Sequence, residues 1–208
     1  MLIEDYIERH ISPEPEYLHK LDRMTHLRRL HGRMCSGHWQ GRLLVMLTAM
    51  IQPKRILELG TYTAYATLCM AEGAPEARID TIEVFDENET LIRQVLAQSP
   101  YGRNVTLHID DAIHYMSSIS SEHYDLILID ADKRQYPEYL THALRILRTG
   151  GYILADNTLW DGKVIDPTQK DPQTLGICRF NDMVAADPSL QKVIIPLRDG
   201  LTLIRKQK

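Results

Sequence analysis

An apolar run, Tyr124-Asp125-Leu126-Ile127-Leu128-Ile129, ends in Asp130-Ala131-Asp132-Lys133, so two carboxylates and one ammonium stand together where a hydrophobic segment stops. Such a group can hold a cation or move a proton. Asp156-Asn157 adds a carboxylate and an amide after a second apolar run, and Glu58 with Gly60, Glu83 and Asp111 close other runs. Asp130, Asp156 and Asn157 offer oxygen donors only, a set suited to a hard divalent cation such as Mg²⁺, or Mn²⁺ or Ca²⁺ in its place. None of the nine histidines has H-x-H or H-E-x-x-H spacing, which disfavours zinc. An Asp-Asn pair can also merely cap a turn; Asp130 at the end of an adjacent strand tips the reading toward a metal. Glu83 could accept hydrogen bonds from two ribose hydroxyls, and Gly60 permits close backbone approach of a ligand. The segment from Gly60 to Ala66 has a single glycine and no G-x-G-x-x-G, so a cofactor with one ribose fits better than a dinucleotide.

Bringing these groups to one edge requires a parallel sheet. The Leu/Ile run before Asp130 is short and continuous, as in a strand covered on both faces. The pattern predicts further strands over Arg55–Leu59, Arg78–Val84, Val105–Ile109 and Tyr152–Ala155, alternating with helices through Tyr65 to Met70, Asn88 to Gln98 and Tyr136 to Leu147. Gly150-Gly151 is expected to stop the last of these helices. Val193–Pro196 and Leu201–Ile204, joined through Asp199-Gly200, read as a closing antiparallel hairpin. Residues 1 to about 52 read as helices broken near Ser12-Pro13 and Ser36-Gly37, with Ser12 as a cap and Pro13 at the first helical position. The expected fold is α/β: a doubly wound, seven-stranded, mostly parallel sheet with an antiparallel C-terminal hairpin, preceded by N-terminal helices. One domain is expected over 1–208, with a helical segment at 1–52 and a cofactor-binding core at 53–208. Open sheets of this kind bind ligands at the carboxyl ends of their strands, where the groups above fall.

At 44% hydrophobic and 25% charged residues over 208 positions, the composition is that of an ordinary globular protein. A net charge of -4 gives no overall attraction to nucleic acid. Arg23, Arg28, Arg29, His31 and Arg33 form a local basic cluster that leaves a polyanion surface open on one face, although a solvated helix explains it more simply. Cys35, Cys69 and Cys178 are odd in number and widely spaced, which suits neither a disulfide frame nor a zinc clip and points to a reducing compartment. With no signal-like N-terminus and no apolar run near the ~18 residues of a membrane span, the expected location is the cytoplasm.

Several segments together resemble a known family: Ile56-Leu57-Glu58-Leu59-Gly60-Thr61-Tyr62-Thr63, Thr81-Ile82-Glu83, Asp111-Ala112, Ile129-Asp130-Ala131-Asp132-Lys133 with Tyr136-Pro137, Gly150-Gly151, Asp156-Asn157-Thr158-Leu159-Trp160, and Pro196 with Asp199-Gly200-Leu201-Thr202. They are similar, in order and from about Met34 to Lys206, to the metal-dependent catechol and caffeoyl-CoA type O-methyltransferases that use S-adenosylmethionine. The resemblance implies a Rossmann-like methyltransferase sheet and a homodimer. It implies that Asp130, Asp156 and Asn157 hold the metal and that Lys133, with Asp130, is catalytic. Glu83 would bind the ribose, while Glu58, Gly60 and Thr61 would line the methionine end of the cofactor; Ala66 and Asp130 would also bind the cofactor. Asp111 and Ala112 would lie on its adenine side, Met34 near the transferred methyl, and Lys133, Asn157 and Trp160 against the substrate. The family usually has Gly where this chain has Ala64 and Ser where it has Ala66, so a hydroxyl for the cofactor carboxylate is absent; helix N-terminal amides would compensate in part.

The function expected from all this is Mg²⁺-dependent methylation of one hydroxyl of a catechol-like vicinal diol, with Lys133 as base near neutral pH. The resemblance also permits an enzyme acting on hydroxylated uridine in tRNA, which the basic N-terminal helix would serve. A non-catalytic cofactor-binding module fits less well, because the metal set and Lys133 are both retained. An NAD-linked oxidoreductase is disfavoured by the missing glycines.

Overall fold

Short runs rich in Leu, Ile and Val become seven strands of one sheet in the computed structural model, which describes residues 3–28 and 34–208. The strands are β1 (Arg55–Leu59), β2 (Arg78–Glu83), β3 (Val105–Ile109), β4 (Tyr124–Ile129), β5 (Leu147–Asp156), β6 (Leu190–Ile195) and β7 (Leu201–Lys206), in the order β3-β2-β1-β4-β5-β7-β6. β2 with β3, β1 with β4, and β4 with β5 pair in parallel, whereas β7 runs antiparallel to both β5 and β6. This is the expected mostly parallel sheet with an antiparallel C-terminal hairpin. The order turns back between β1 and β4, the kind of switch point at which doubly wound sheets take ligands. The helices are α1 (Ile3–His10), α2 (Glu16–Arg28), α3 (Gly37–Ile51), α4 (Tyr65–Gly73), α5 (Glu89–Gln98), α6 (Ala112–Ser118), α7 (Tyr136–Ile146) and α8 (Pro172–Ala186). Among the described residues no helix is long and apolar enough to cross a membrane.

Contacts divide the chain into two units, residues 1–54 with 61–109, and residues 55–60 with 110–208. In the first unit α3 packs on α4. The Arg42 guanidinium of α3 donates twice to the Glu72 carboxylate of α4, at 2.8 Å each, and Arg42 is buried. The Tyr65 hydroxyl donates to Glu14, which ties the start of α4 to the segment before α2. The second unit is built on β1, β4 and β5, whose Leu57, Leu59, Leu126, Ile127, Ile129, Ile153, Leu154 and Ala155 are fully buried, as strands covered on both faces must be. α7 contributes Tyr136, Leu140 and Ala143 to this core, and α8 contributes Ile177, Phe180 and Val184.

Two expectations are corrected. Ser12 does not cap a helix with Pro13 in its first turn: α2 starts at Glu16, and Leu18 N and His19 N donate to the Pro15 carbonyl at 3.0 Å each. Glu14 precedes Pro15, and a residue before proline is driven out of the helical region, so the helix can begin only after it. Nor do Gly150 and Gly151 stop α7, which ends at Ile146; both lie inside β5. There the β4–β5 register shifts between Tyr124↔Leu147 and Leu126↔Tyr152, and the surplus residues on β5 form an irregularity that uses Gly150 at φ 80°. Of the basic cluster, Arg23 is exposed; the Arg28 side chain, Arg29, His31 and Arg33 lie outside what is described.

Candidate active site

Strand register assembles the part of the site in the second unit. Leu59 lies opposite Ile129, and Ile129 opposite Ala155, so Gly60, Asp130 and Asp156 stand at one level at the ends of β1, β4 and β5. Neighbouring strands are about 4.8 Å apart, which sets the three ends side by side on one edge of the sheet. Gly60 has φ 96°, and a side-chain carbon there would lie 2.0 Å from the Asp130 carbonyl oxygen. Asp130 N donates to the Leu59 carbonyl at 2.9 Å, which closes the two strand ends together.

A single helical turn after β4 carries the charge. Lys133 is 8% exposed, and its Nζ donates to Asp130 Oδ1 at 2.7 Å and to the Tyr136 hydroxyl at 2.8 Å. The Nζ also sits 4.9 Å from the centre of the Tyr136 ring. The Tyr136 hydroxyl faces two backbone acceptors, the carbonyls of Ile129 at 3.1 Å and Asp156 at 2.9 Å. Complete burial pushes the Tyr136 phenol well above its ordinary range, and the charges of Asp130 and Asp156 push it the same way, so it remains a neutral hydroxyl. Asp132 faces elsewhere: it accepts from Arg134 N at 3.0 Å and from the Arg134 guanidinium, which holds its carboxyl below the usual range. Asp132 therefore caps the turn that presents Lys133.

Asp156 is buried, and its Oδ1 accepts from Asn157 N at 2.8 Å. Asn157 takes the left-handed conformation, φ 60°, and so do Trp160 at 47° and Asp161 at 54°. Several bonds hold this strained turn. Thr158 N and Leu159 N donate to the carbonyls of Gly200 and Asp199 at 3.0 and 2.7 Å, and Asn181 Nδ2 of α8 donates to the Thr158 carbonyl at 2.8 Å. Trp160 is partly exposed, with Lys163 Nζ 5.8 Å from its ring centre, and its buried indole N–H has no acceptor among the described residues. Among the described residues no three His, Cys, Asp or Glu side chains gather into a metal-holding group. The candidate set is instead two carboxylates and one amide, all oxygen donors, with an ammonium already balancing part of the charge; that chemistry suits a hard cation that keeps water or substrate oxygens among its ligands.

The first unit holds a second arrangement. Glu83 is buried at the end of β2, where its Oε2 accepts from Tyr62 N at 2.8 Å and its Oε1 from Phe85 N at 2.9 Å. Each oxygen keeps a further acceptor position, so the carboxylate is aimed and can still receive two hydroxyls. The Thr61 hydroxyl is bonded to that of Thr81 at 2.6 Å. Ala64 precedes α4 with φ 66°, a conformation glycine adopts at lower cost, and Ala66 lies in the first turn of α4. Met34 is exposed. In the second unit Glu58 is fully buried on β1, Asp111 caps α6 by accepting from Ile113 N and His114 N at 2.9 Å each, and Ala112 is buried behind it.

A family model described as O-methyltransferase matches residues 8–207. The chain belongs to the O-methyltransferase family. It is 35% identical over 173 residues to the catechol O-methyltransferase of Niastella koreensis, covering 79% of this chain and 78% of that one. It is 28% identical over 218 residues to caffeoyl-CoA O-methyltransferase 1 of Arabidopsis thaliana, covering 99% and 84%. Among solved structures it is similar to the O-methyltransferase TomG of Streptomyces achromogenes in complex with SAM, with 27% identity, 99% and 96% of the two chains covered and a TM-score of 0.91. The Bacillus cereus O-methyltransferase in complex with SAH gives 27% identity, 98% and 97% coverage and a TM-score of 0.89.

Two features of this O-methyltransferase have little or no signature in the sequence. The Tyr136 hydroxyl partners Lys133, and the one signal for it is their spacing of three residues on one turn, which puts them on the same face. Gly176 of α8 comes so close to the Lys133 backbone that a side-chain carbon would lie 2.3 Å from the Lys133 carbonyl oxygen. No sequence pattern signals that approach.

Proposed function

We propose that this O-methyltransferase moves the methyl group of S-adenosylmethionine to one hydroxyl of a vicinal diol on a small aromatic molecule, with Mg²⁺ or a similar hard cation held by Asp130, Asp156 and Asn157. The observation that carries the reading is the buried Lys133, fixed by Asp130 and Tyr136 at the strand ends that also bear Asp156 and Asn157. Relatives named for catechol and caffeoyl-CoA, and SAM in the TomG structure, support the same acceptor class and cofactor.

Each side chain then has a task. Glu83, aimed by two backbone N–H groups, accepts from the ribose hydroxyls. S-adenosylmethionine supplies a methyl group already activated on a sulfonium sulfur. The cation supplies positive charge that favours the ionised form of the acceptor hydroxyl. Two of the three Nζ positions of Lys133 are committed to Asp130 and Tyr136, so the third is the one presented to the acceptor. As a lone pair it takes the hydroxyl proton; as an N–H it holds the resulting oxygen in place. Holding oxygen, methyl carbon and sulfur in line gives the large rate effect of proximity.

The test is methyl transfer from labelled S-adenosylmethionine to a panel of catechols and to tRNA containing hydroxyuridine, each with Mg²⁺ and with chelator. Methylation of a catechol that stops in chelator and returns with Mg²⁺ is the expected result. Equal rates in chelator remove the metal from the mechanism, and methylation of tRNA alone replaces the acceptor class.

A further inference from the structure

We infer that Tyr136 is a positioning residue for the reaction: its buried hydroxyl fixes the Lys133 amine against the ends of β4 and β5. The inference rests on the reading above, in which Lys133 touches the reacting hydroxyl.

Lysine carries its amine on a flexible four-carbon stem, so an amine with no fixed partner samples many directions. Asp130 alone cannot set one. Its side chain is 26% exposed, and as a candidate metal ligand its oxygens have other demands on them. Tyr136 differs on both counts. Its ring is fully buried and meets Phe180 of α8 edge to face at 5.4 Å. Its hydroxyl spans two strands, with the Ile129 carbonyl at the end of β4 and the Asp156 carbonyl at the end of β5.

The hydrogen-bond inventory fixes the direction of donation. A phenol has one hydrogen, and the two carbonyls can only accept, so that hydrogen belongs to them. A lone pair of the hydroxyl therefore faces Lys133, which must donate to it at 2.8 Å. With a second N–H on Asp130, the remaining position of Nζ is directed by the strand ends rather than by solvent. The Asp156 carbonyl belongs to the residue whose carboxylate is a candidate metal ligand, so one hydroxyl ties the amine to the same strand end.

The decisive variant is Tyr136→Phe, which keeps the ring, its contact with Phe180 and its face toward Lys133, and removes only the hydroxyl. In unliganded protein with ¹⁵N-labelled lysine, the wild type should show a slowly exchanging ammonium signal that is absent from Lys133→Ala. Tyr136→Phe should lose or broaden that signal; an unchanged signal overturns the inference, whatever the substrate proves to be. In turnover, Tyr136→Phe should lower kcat about tenfold or more while KM for the cofactor stays put, since small misplacements at a reacting group have effects of that order. Added to Lys133→Ala it should cost nothing further; an equal loss in both backgrounds marks a merely structural tyrosine and also overturns it. If Tyr136→Phe does not fold, 4-aminophenylalanine in place of Tyr136 keeps a donor for the carbonyls, weakens the acceptor facing Lys133, and must give the same loss of signal. Full turnover by Lys133→Ala would instead remove the proposed mechanism, while the ammonium signal would still decide the positioning.

Discussion

Gly60 and Asp130 meet through their backbones: a side-chain carbon on residue 60 would sit 2.0 Å from the Asp130 carbonyl oxygen and 2.9 Å from its carbonyl carbon. Backbone cannot rotate away as a side chain can, so Gly60→Ala must part β1 from β4 at their carboxyl ends. Overpacking costs about 1–3 kcal/mol and the positive φ about 1–2 kcal/mol more. A loss of roughly 2–5 kcal/mol in urea unfolding is expected, together with weaker cofactor binding. An unchanged urea midpoint would show that the close approach is not there.

Where the sequence was readable, a local physical rule decided the outcome. β4 is legible because Leu126 to Ile129 is too short for an ordinary helix and too apolar for an edge strand, and the place of Asp130 and Asp156 at strand ends is legible because charge directly follows or closes such runs. Gly150-Gly151 is ambiguous in the sequence, because a glycine pair after a helical pattern serves a C-cap and a β-bulge equally well, and only the β4–β5 register at Tyr124 and Leu126 distinguishes them. Tyr136 stayed hidden for another reason. Its acceptors are the carbonyls of Ile129 and Asp156, and every residue has a carbonyl, so nothing in the sequence marks these two.

Lys133 and Asp130 differ in burial, and their variants should differ in stability. Lys133 is 8% exposed, whereas the Asp130 side chain is 26% exposed. Asp130→Asn leaves a buried ammonium without its counter-charge, a change expected to cost about 1–3 kcal/mol after allowance for solvent on the carboxylate side. Lys133→Met leaves a carboxylate that water can reach and fills the lysine channel with an apolar stem, so its stability should match or exceed that of the wild type. Both should lose methyl transfer at neutral pH, Lys133→Met by about 10²–10⁴-fold. Thermal unfolding of the pair is the check; equal destabilisation would contradict the burial difference.

Alkaline pH should unfold the protein through its buried phenols. Burial pushes Tyr17, Tyr65, Tyr136 and Tyr139 above the ordinary phenol range, so the folded chain favours their neutral forms. Their contribution to stability is complete below the unfolded value of about 10 and is lost as pH rises above it, because the unfolded chain releases those protons first. In a titration followed by tyrosinate absorbance and circular dichroism, the last absorbance step should coincide with loss of helical signal. Complete ionisation of all tyrosines with the dichroism intact would refute the prediction.

Gly176 sets the distance between α8 and the turn that carries Lys133. An added side-chain carbon would lie 2.3 Å from the Lys133 carbonyl oxygen and 2.9 Å from Arg134 Cα, so Gly176→Ala forces either the helix or the Lys133 backbone to shift. Two effects on stability oppose each other. Alanine favours the helix by about 1 kcal/mol over glycine, while overpacking costs about 1–3 kcal/mol, so the net change should be small or moderately unfavourable. Turnover has no such compensation, because a displacement of the order of an ångström at a reacting group can cost about 10²-fold. Gly176→Ala is therefore expected to remain folded, to bind S-adenosylmethionine with little change, and to lose one to two orders of magnitude in kcat. Calorimetric cofactor binding beside single-turnover methyl transfer separates the two: unchanged transfer would mean that Lys133 tolerates the shift, and lost binding would mean that the displacement spreads beyond the lysine.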